Sequence, residues 1–558
     1  MKPDPDPFLT AMAATLPGWP ARDGAHLLVT SAQMAALEQQ LFASGLPVEA
    51  LMEKAALAAT AHLRRGDWWA QLRQRGALVL VGPGHNGGDG LVVARELQLA
   101  GLPVRIWSPF ERHKPLTAAH WRHARWLGIP ALEEPPEPGE PALWIDALFG
   151  IGQRRPLDTR LAALLAQRQQ RSPGGLIAID VPSGLCADRG VPLASDSNQP
   201  GDAACAALTL CIGLIKQGLV QDSALAWVGR LERIDLGLPA PLLQTLEPQP
   251  PLVLLPDDWK QAPARALDPA VSKYERGRLL VVAGSDAYRG AAHLCLQGAS
   301  ASGCGSLRAA LPAAVAEQLW QQLPHVVVSA ALGSGPTGGL ELANLPLACL
   351  ERLDALVLGP GLGPATGSND SSLWGLLRQL PGLLLLDADG LNRLAAQGNA
   401  LTWLGGRCGP TWLTPHRGEF NRLFPDLAAY GALEAAGEAA SRSGCSVLLK
   451  GARSVVSASD GRCWQLGWAN PHAARAGLGD VLAGYAAGRA AMTIAAGGTG
   501  DAQELAAAAL DHAVAADMTV QQLGAGQATP LRMAAALQAD TIEARTGNHL
   551  TTNTTRRS

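Results

Sequence analysis

The chain has 558 residues, of which 47% are hydrophobic, and a formal net charge of −3. This length exceeds one ordinary core, so we expect two domains of roughly 200–300 residues each. The near-neutral charge gives no reason to expect a nucleic-acid partner, and nine cysteines without a C-x-x-C pair predict neither a metal knuckle nor a disulfide framework. The sequence contains no signal-peptide pattern and no membrane-spanning apolar run, so we expect a cytoplasmic protein.

The first half of the chain alternates strand-length and helix-length segments. Residues 1–26 are rich in Pro and Asp and are predicted to be loose, and a helical pattern follows from Ser31 to about Ala61. Short apolar runs then predict strands at 77–81, 104–107, 142–148, 176–181 and 208–213. This alternation predicts an N-terminal α/β domain over 27–245 with a doubly wound, Rossmann-like parallel sheet.

A Pro-rich segment at 238–258 interrupts the alternation and predicts a domain boundary, with a linker at 246–268. The pattern then restarts, which predicts a second α/β sheet domain over 269–545. Its strands are predicted at 278–284, 325–330, 355–359, 382–387, 411–414 and 446–450. Residues 546–558 are predicted to be a free tail.

A glycine-rich segment, Gly82-Pro-Gly84-His-Asn-Gly87, follows the first predicted strand and opens a helix. Backbone amides at such a position can bind a phosphate, and the spacing matches the dinucleotide fingerprint. A hydride-transferring domain also needs an acid at the end of the second strand, but Ser-Pro-Phe follows the run at 104–107. The segment therefore predicts a nucleotide ligand but not a dehydrogenase.

Two other predicted strand ends carry carboxylates, Asp146 and Asp180, and Ser183 stands in the turn after the second. The carboxyl ends of parallel strands face the ligand crevice. Asn86, Asp146 and Ser183 could therefore converge as oxygen ligands of a cation, with Asp180 free to exchange protons. The alternative is that these residues cap helices and form turns.

In the second half, Gly477-Leu478-Gly479-Asp480 precedes an apolar helix. Such a turn offers backbone amides to an anion, and Asp480 could take a proton from a hydroxyl that attacks a phosphate, although it could also be a simple helix cap. Other predicted strand ends carry GPGLG (359–363), DADGLN (387–392), TPHRGEF (414–420) and Lys450. Asp387 and Asp389 could serve structure or hold a hydrated magnesium ion.

Over about residues 27–240 the chain resembles the NAD(P)H-hydrate epimerase family, through GPGHNGGDG, DALFGIG, DVPSG and GLIKQGL. The resemblance implies potassium bound by Asn86, Asp146 and Ser183, with Asp180 as the catalytic residue. It implies contacts to a hydrated nicotinamide nucleotide from Asp180 and from His85, Asn86, Gly87, Gly88, Asp89, Gly150, Ile151, Gly152, Gln153, Arg154, Arg155 and Pro156. His85 replaces the first Asn of the family's loop.

Over about residues 270–540 the chain resembles the ADP/ATP-dependent NAD(P)H-hydrate dehydratase family, which has a ribokinase-like fold. GPGLG, DADGLN, TPHRGEF, KGARS and GLGDVLAG occur in the family's order. The resemblance implies Asp480 as the catalytic base and substrate contacts from Ala291, Gly361, Gly363, His416 and Asp480. It implies that the adenine nucleotide, with magnesium, binds to Lys450, Gly451, Ala452, Arg453, Ser454 and Gly479. The family usually has Ser or Thr where this chain has Leu478.

Together the two resemblances imply a bifunctional enzyme that repairs hydrated nicotinamide cofactors. One domain would epimerise R- and S-NAD(P)HX. The other would dehydrate the S epimer by phosphorylating its ring hydroxyl from ADP or ATP and eliminating phosphate. We expect a homo-oligomer without nucleic-acid or membrane partners. Two alternatives are a small-molecule or vitamin kinase, and an N-terminal domain that serves only as a binding or interaction scaffold.

Overall fold

The computed structural model describes residues 18–194, 202–262, 270–365 and 371–543. The chain divides into two compact units between Val253 and Leu254, inside the predicted linker. The predicted tail at 546–558 and the first 17 residues lie outside the described residues. Among the described helices, none combines the length and apolar character needed to cross a bilayer.

The first unit is built on a doubly wound parallel sheet. Its strands, within the described residues, are β1 (Leu28–Val29), β2 (Ala77–Val81), β3 (Val104–Trp107), β4 (Ala131–Leu132), β5 (Leu143–Ala147), β6 (Leu176–Ile179), β7 (Leu208–Ile212), β8 (Ile215–Lys216) and β9 (Arg230–Ile234). The sheet has the order β4-β3-β2-β5-β6-β7-β9, and β1 pairs separately with β8. The strand order reverses direction between β2 and β5, so their carboxyl ends open the crevice in which such sheets bind ligands.

β2 and β5 are buried along their whole length. This burial requires helices on both faces of the sheet. The described helices are Ser31–Ala43, Val48–Leu63, Asp67–Arg75, His85–Leu99, Pro115–Trp126, Thr159–Arg171, Leu225–Val228 and Ala240–Leu243, with 3₁₀ turns at Gln217–Val220 and Asp222–Ala224. The single helical pattern predicted from Ser31 is thus two helices. Gly45, with a φ of +100°, and Pro47 interrupt it.

Residues 18–26 differ from the predicted loose segment. Trp19 is buried. The His26 carbonyl accepts a hydrogen bond from the Val253 amide at 2.7 Å, and the Pro251 carbonyl accepts one from the Leu28 amide at 2.9 Å. The start of the predicted linker is therefore an ordered part of the first unit. A short strand, β10 (Leu252–Leu254), contains the boundary.

The second unit contains a larger mixed sheet. Its strands are β11 (Arg278–Val282), β12 (Ser306–Pro312), β13 (Val327–Leu332), β14 (Ala355–Leu358), β15 (Leu383–Leu386), β16 (Thr411–Leu413), β17 (Ser446–Leu449), β18 (Val455–Ser457) and β19 (Cys463–Leu466). They follow the order β19-β18-β17-β16-β15-β14-β11-β12-β13. All pairs are parallel except those that β18 makes with β17 and β19. The strand predicted at 325–330 is displaced by two residues. β12, β18 and β19 were not predicted, because polar residues such as Arg308 and Gln465 interrupt their apolar runs.

The described helices of the second unit are Arg289–Ala301, Ala313–Ala316, Ser371–Gln379, Ala388–Ala395, Ala400–Gly405, Arg417–Leu423, Ala432–Ser443, Leu478–Ala495, Ala502–Leu523 and Pro530–Glu543. There are 3₁₀ turns at Pro256–Gln261, Leu319–Gln321, Leu342–Asn344, Leu347–Leu350, Pro425–Leu427 and Pro471–Ala473. The Ala-rich segments at 432–440 and 505–516 lie within two of these helices.

Two glycines let a pair of helices in this unit approach closely. A Cβ atom at Gly484 would overlap the carbonyl oxygen of Cys295, and one at Gly298 would overlap the carbonyl oxygen of Val481. The helices Arg289–Ala301 and Leu478–Ala495 therefore meet backbone to backbone. This contact holds the turn at 477–480, which begins the second helix, against the first helix, where a Cβ at Gly477 would lie 2.5 Å from Leu294 Cδ1.

We expect Gly484→Ala to lower the free energy of unfolding of the second unit by about 2 kcal/mol, because the new methyl group has no room. The matched control is Gly437→Ala, at a helical glycine with open space around it. That change should instead raise stability, by about 0.5–1 kcal/mol. Denaturant unfolding of the full chain measures both. Equal effects of the two substitutions would show that the helices can separate without cost.

Candidate active sites

Asp180 lies at the carboxyl edge of the first sheet, just after β6. It is buried, and its φ of +67° is uncommon for a residue other than glycine. Its Oδ1 accepts a hydrogen bond from Lys216 Nζ at 2.5 Å, and its Oδ2 accepts one from the Ile151 amide at 3.2 Å. The structure thus brings Asp180 together with the turn at 150–156, as the sequence predicted.

Lys216 is a fully buried ammonium group that sequence reasoning missed. Its Nζ also donates to the Ile212 carbonyl at 2.6 Å. Burial lowers the pKa of Lys216, but the adjacent Asp180 carboxylate outweighs burial, so its pKa lies above the ordinary value. An ion pair in such a place requires both partners, because removing one leaves an uncompensated buried charge. The available signal was a lysine within the apolar run GLIKQGL.

Two further carboxyl groups, Glu38 and Asp89, line a cavity beside this pair. Burial raises the pKa of Glu38 to about 7, with a further rise from Asp180 and an opposing effect of Lys216. Burial raises the pKa of Asp89 well above its ordinary value, and the charges of Asp180 and Glu38 add to this. The same cavity is lined by His85 and by the apolar side chains of Phe42, Met52 and Leu236.

Asn86, Asp146 and Ser183, the predicted cation ligands, all lie at this edge. Asp146 accepts hydrogen bonds from Ser183 Oγ at 2.7 Å and from the Ser183 amide at 2.8 Å. Asn86 donates from Nδ2 to the Ile179 carbonyl at 3.3 Å, while its buried Oδ1 has no partner within the described part of the chain. Burial raises the pKa of Asp146 against the opposing hydrogen bonds from Ser183. An orphaned amide oxygen beside a buried carboxylate fits a hard cation, which prefers oxygen ligands.

The glycine-rich segment differs from the predicted loop because the helix begins at His85. Residues 85–88 therefore form its first turn, and Asp89 follows them. A Cβ at Gly82 would overlap the Leu148 carbonyl, so this glycine is required for packing against the end of β5. Gly84 has open space around it, where a ligand can approach the backbone.

Part of the turn at 150–156 contacts neighbouring residues, and the rest is exposed. A Cβ at Gly150 would lie 2.8 Å from Asp180 Oδ2 and 3.5 Å from Asn86 Cγ, so Gly150 sits between these two residues. Gln153 accepts a hydrogen bond from the Gly184 amide at 2.8 Å. Gly152 has open space around it, and Arg154 and Arg155 are exposed.

In the second unit, loops after β11, β14, β15, β16 and β17 meet at one edge, since these strands are consecutive neighbours. Asp387, which follows β15, is buried. Its Oδ1 accepts hydrogen bonds from Lys450 Nζ at 2.7 Å and from Thr414 Oγ1 at 2.8 Å. Asp389 accepts a hydrogen bond from the Gly363 amide at 2.8 Å. Both carboxylates thus have structural partners, which favours the structural alternative left open by the sequence.

Asp480 lies half-buried at the start of the helix Leu478–Ala495. Burial raises its pKa to about 7, as do the charges of Asp387, Asp389 and Glu419, while Lys450 opposes the rise. A Cβ at Gly479 would lie 3.3 Å from Lys450 Nζ, so the turn at 477–480 reaches the lysine.

Leu478 is buried, with 4% of its surface exposed. The apolar side chain at this position packs into the protein, and the backbone of the turn remains available to an anion.

His416 caps the helix Arg417–Leu423. Its Nδ1 accepts a hydrogen bond from the Gly418 amide at 2.9 Å, and the His416 amide donates to Glu419 at 2.9 Å. An accepting Nδ1 assigns the proton of the neutral ring to Nε2, which lies 3.2 Å from Glu419 Oε1. The His416 side chain is 56% exposed, so it remains accessible to a ligand.

The predicted nucleotide residues 450–454 form the turn between β17 and β18. Gly451 and Ala452 are exposed, whereas Arg453 is buried. Ser454 Oγ donates to the Gly451 carbonyl and accepts from its amide, both at 3.3 Å.

The predicted substrate residues of the second unit lie on two neighbouring segments. A Cβ at Gly361, whose φ is +64°, would lie 2.7 Å from the Cβ of Ala291. The two residues are therefore in close contact, beside the Gly363–Asp389 hydrogen bond.

Comparison with known proteins identifies the family of each unit. A family described as NAD(P)H-hydrate dehydratase matches residues 279–539, and one described as YjeF-related protein N-terminus matches residues 48–218. A bifunctional NAD(P)H-hydrate repair enzyme Nnr of Gloeobacter violaceus is 44% identical over 462 residues, covering 82% of this chain and 87% of the relative. The chain belongs to the bifunctional NAD(P)H-hydrate repair enzyme family.

A second member of the bifunctional NAD(P)H-hydrate repair enzyme family, from Synechocystis, is 40% identical over 514 residues and covers 92% of this chain and 93% of its own. Among solved structures, an ADP/ATP-dependent NAD(P)H-hydrate dehydratase from Bacillus subtilis, co-crystallized with ATP/Mg2+, is 23% identical with a TM-score of 0.39, covering 51% of this chain and 95% of its own. The predicted α/β fold class and the predicted enzyme, an epimerase domain followed by a dehydratase domain, are confirmed. The vitamin-kinase and scaffold alternatives are not favoured.

Proposed function

We propose that the first unit interconverts the R and S epimers of hydrated NADH and NADPH at Asp180. The second unit then converts the S epimer to NADH or NADPH at Asp480 with ADP or ATP. The observation that supports this proposal most strongly is the position of Asp480, whose pKa is raised to about 7. It lies in the first turn of a helix that offers free backbone amides, and the neighbouring Gly479 adjoins Lys450. That arrangement suits a base that activates a hydroxyl for phosphoryl transfer.

In the first unit, epimerisation requires proton transfer to and from oxygen at the hydroxylated ring carbon. Asp180 accepts hydrogen bonds on both of its oxygens, which orients the carboxylate for that task. The predicted substrate residues 85–89 and 150–156 adjoin it, and we propose that they bind the nucleotide.

We propose that potassium binds at Asn86, Asp146 and Ser183, where the orphaned Asn86 Oδ1 supports a cation. When bound, potassium would supply a positive charge at the start of the helix His85–Leu99. The chain's own contribution is to hold the oxygen ligands by hydrogen bonds from Ser183 and to the Ile179 carbonyl.

In the second unit, Asp480 removes the ring hydroxyl proton while that oxygen attacks the terminal phosphorus of ADP or ATP. The P–O bond to the leaving nucleotide breaks. The ring C–O bond then breaks with departure of phosphate, and loss of a proton from the adjacent carbon restores the double bond. Phosphate leaves more readily than hydroxide, which is the physical reason to phosphorylate first.

We propose that residues 450–454 and Gly479 bind the adenine nucleotide, and that Ala291, Gly361, Gly363 and His416 contact the hydrated ring nucleotide. Within the described residues, no set of three or more His, Cys, Asp or Glu side chains is arranged to hold a metal ion. Magnesium, which is commonly bound through substrate phosphates, would therefore be held chiefly by the nucleotide and would neutralise its charge. We also propose that the enzyme is a cytoplasmic homo-oligomer.

Separate substitutions in the two units test whether the first unit epimerises the substrate and the second dehydrates it. With ADP and a mixture of epimers, we expect Asp180→Asn to dehydrate the S epimer normally while the R epimer is consumed at least about 100-fold more slowly. Asp480→Asn should still equilibrate the epimers but should not restore absorbance at 340 nm. Each variant's unaltered unit is its internal control. If Asp180→Asn consumes the R epimer at the wild-type rate, the role of Asp180 is wrong.

Potassium removal tests the cation site by two readouts. Exchange of potassium for tetramethylammonium should slow epimerisation at least about tenfold and lower the melting temperature of the first unit, because a ligand that binds only the folded state stabilises it. Asn86→Ala should abolish the potassium-dependent shift in melting temperature. A shift that persists in Asn86→Ala would place the cation elsewhere.

The pKa of Asp480 predicts the pH dependence of dehydration. A base with a pKa of about 7 is ionised above that pH, so the rate on the S epimer should rise as pH increases through about 7. Below the pKa the rate should change about tenfold per pH unit. Asp480→Asn should lose at least about 100-fold in rate together with this rise. A wild-type rate that is flat between pH 5.5 and 8 would contradict Asp480 as the base.

A further inference from the structure

The cavity beside Asp180 holds an acidic group with no role so far. Glu38 lies in the helix Ser31–Ala43, far from the sheet edge in sequence, yet it lines the cavity with His85 and Asp89. Ile212 forms part of the same wall, and its amide donates to Asp180 Oδ1 at 3.4 Å. Asp180 therefore adjoins the cavity that Glu38 lines, and the apolar side chains opposite suit the uncharged part of a ring.

Epimerisation of a hydroxylated carbon needs two proton transfers on opposite faces. The leaving hydroxyl must gain a proton on one face, and the water that adds on the other face must lose one. Asp180 accepts hydrogen bonds on both oxygens, from Lys216 and from the Ile151 amide, which orients it to receive a proton in one direction of the reaction. In the reverse direction the two proton-transferring groups exchange roles.

We propose that Glu38 is the second catalytic residue of the epimerase, the acid that protonates the hydroxyl leaving the ring carbon while Asp180 serves as the base on the other face. This inference rests on the proposed epimerase function. In the first step the Glu38 proton moves to the hydroxyl, the C–O bond breaks, and the ring nitrogen's electron pair forms a C=N bond. In the second step water adds to the opposite face and gives its proton to Asp180. The proton returns to Glu38 through solvent, so the chain and the composition of the substrate are unchanged.

The charged groups around the cavity distinguish Glu38 from Asp89. Glu38 faces the negative charges of Asp180 and Asp89, the positive charge of Lys216, and His85 across the cavity. Its pKa of about 7 makes both of its protonation states accessible at neutral pH, whereas burial and the charges of Asp180 and Glu38 raise the pKa of Asp89 well above its ordinary value.

The test measures epimerisation of a single purified epimer by the full chain without adenine nucleotide. We expect Glu38→Gln to slow it at least about 100-fold, with partial rescue by Glu38→Asp. The wild-type rate should fall as pH rises through about 7, because the protonated acid is lost, and this fall should be absent in Glu38→Gln. The matched control is Glu49→Gln, which removes an exposed carboxylate that also interacts with His85 and should leave the rate unchanged.

Dehydration of the S epimer with ADP, together with the melting temperature of the first unit, shows that each variant is folded. An epimerisation rate of Glu38→Gln within about threefold of wild type would overturn the proposal. A slowed Glu38→Gln that keeps the wild-type pH profile would overturn it as well, since the effect would then be structural. If neither the wild type nor Asp180→Asn epimerises the substrate, the proposed function itself fails, which is a different outcome from a silent Glu38.

Discussion

The first site depends on one electrostatic constraint. Its buried ammonium group, Lys216, is surrounded by more carboxyl groups than its single charge can neutralise. Lys216 is paired with Asp180, and its single charge cannot also neutralise Glu38 and Asp89. Burial makes additional negative charge costly, so the pKa of Glu38 is raised to about 7 and that of Asp89 lies well above its ordinary value. Carboxyl groups that can exchange protons therefore lie in and beside one cavity, as acid–base chemistry on a ring requires.

The second unit applies the same constraint to a different chemistry. Lys450 is paired with the buried Asp387, whose charge raises the pKa of both Asp480 and Glu419, and Glu419 adds to the rise at Asp480. Here the pair stands beside a helix start, where backbone amides and a lysine favour an anion. One lysine thus adds positive charge beside this turn and limits how far the pKa of Asp480 rises. The units differ in what adjoins the cluster: a cavity with apolar side chains in the first and a glycine-rich helix start in the second.

Strands and the loops that follow them could be predicted from the sequence because both are local signals. Apolar runs located most of the strands, a carboxylate at the end of one strand located Asp180, and the glycine-rich turn before an apolar helix located Asp480. Glu38 and Lys216 could not be found this way. Glu38 reaches the site because its helix contributes to the wall of the cavity, and Lys216 reaches it because β8 pairs with β1. Neither contact produces a periodic pattern in the sequence. The burial of Leu478 likewise depends on helix packing, which cannot be predicted from the motif at 477–480 alone.

We propose that the two units of one chain act in sequence on one hydrated cofactor. The most direct test supplies the pure R epimer to the wild-type enzyme and follows both epimers by NMR, with NADH, AMP and phosphate measured in the same reaction. Without nucleotide, we predict equilibration of R with S and no NADH. After addition of ADP, both epimers should be consumed completely, with one AMP and one phosphate formed for each NADH. Conversion of the R epimer without the S epimer as an intermediate, or NADH formation without matching phosphate release, would contradict the account.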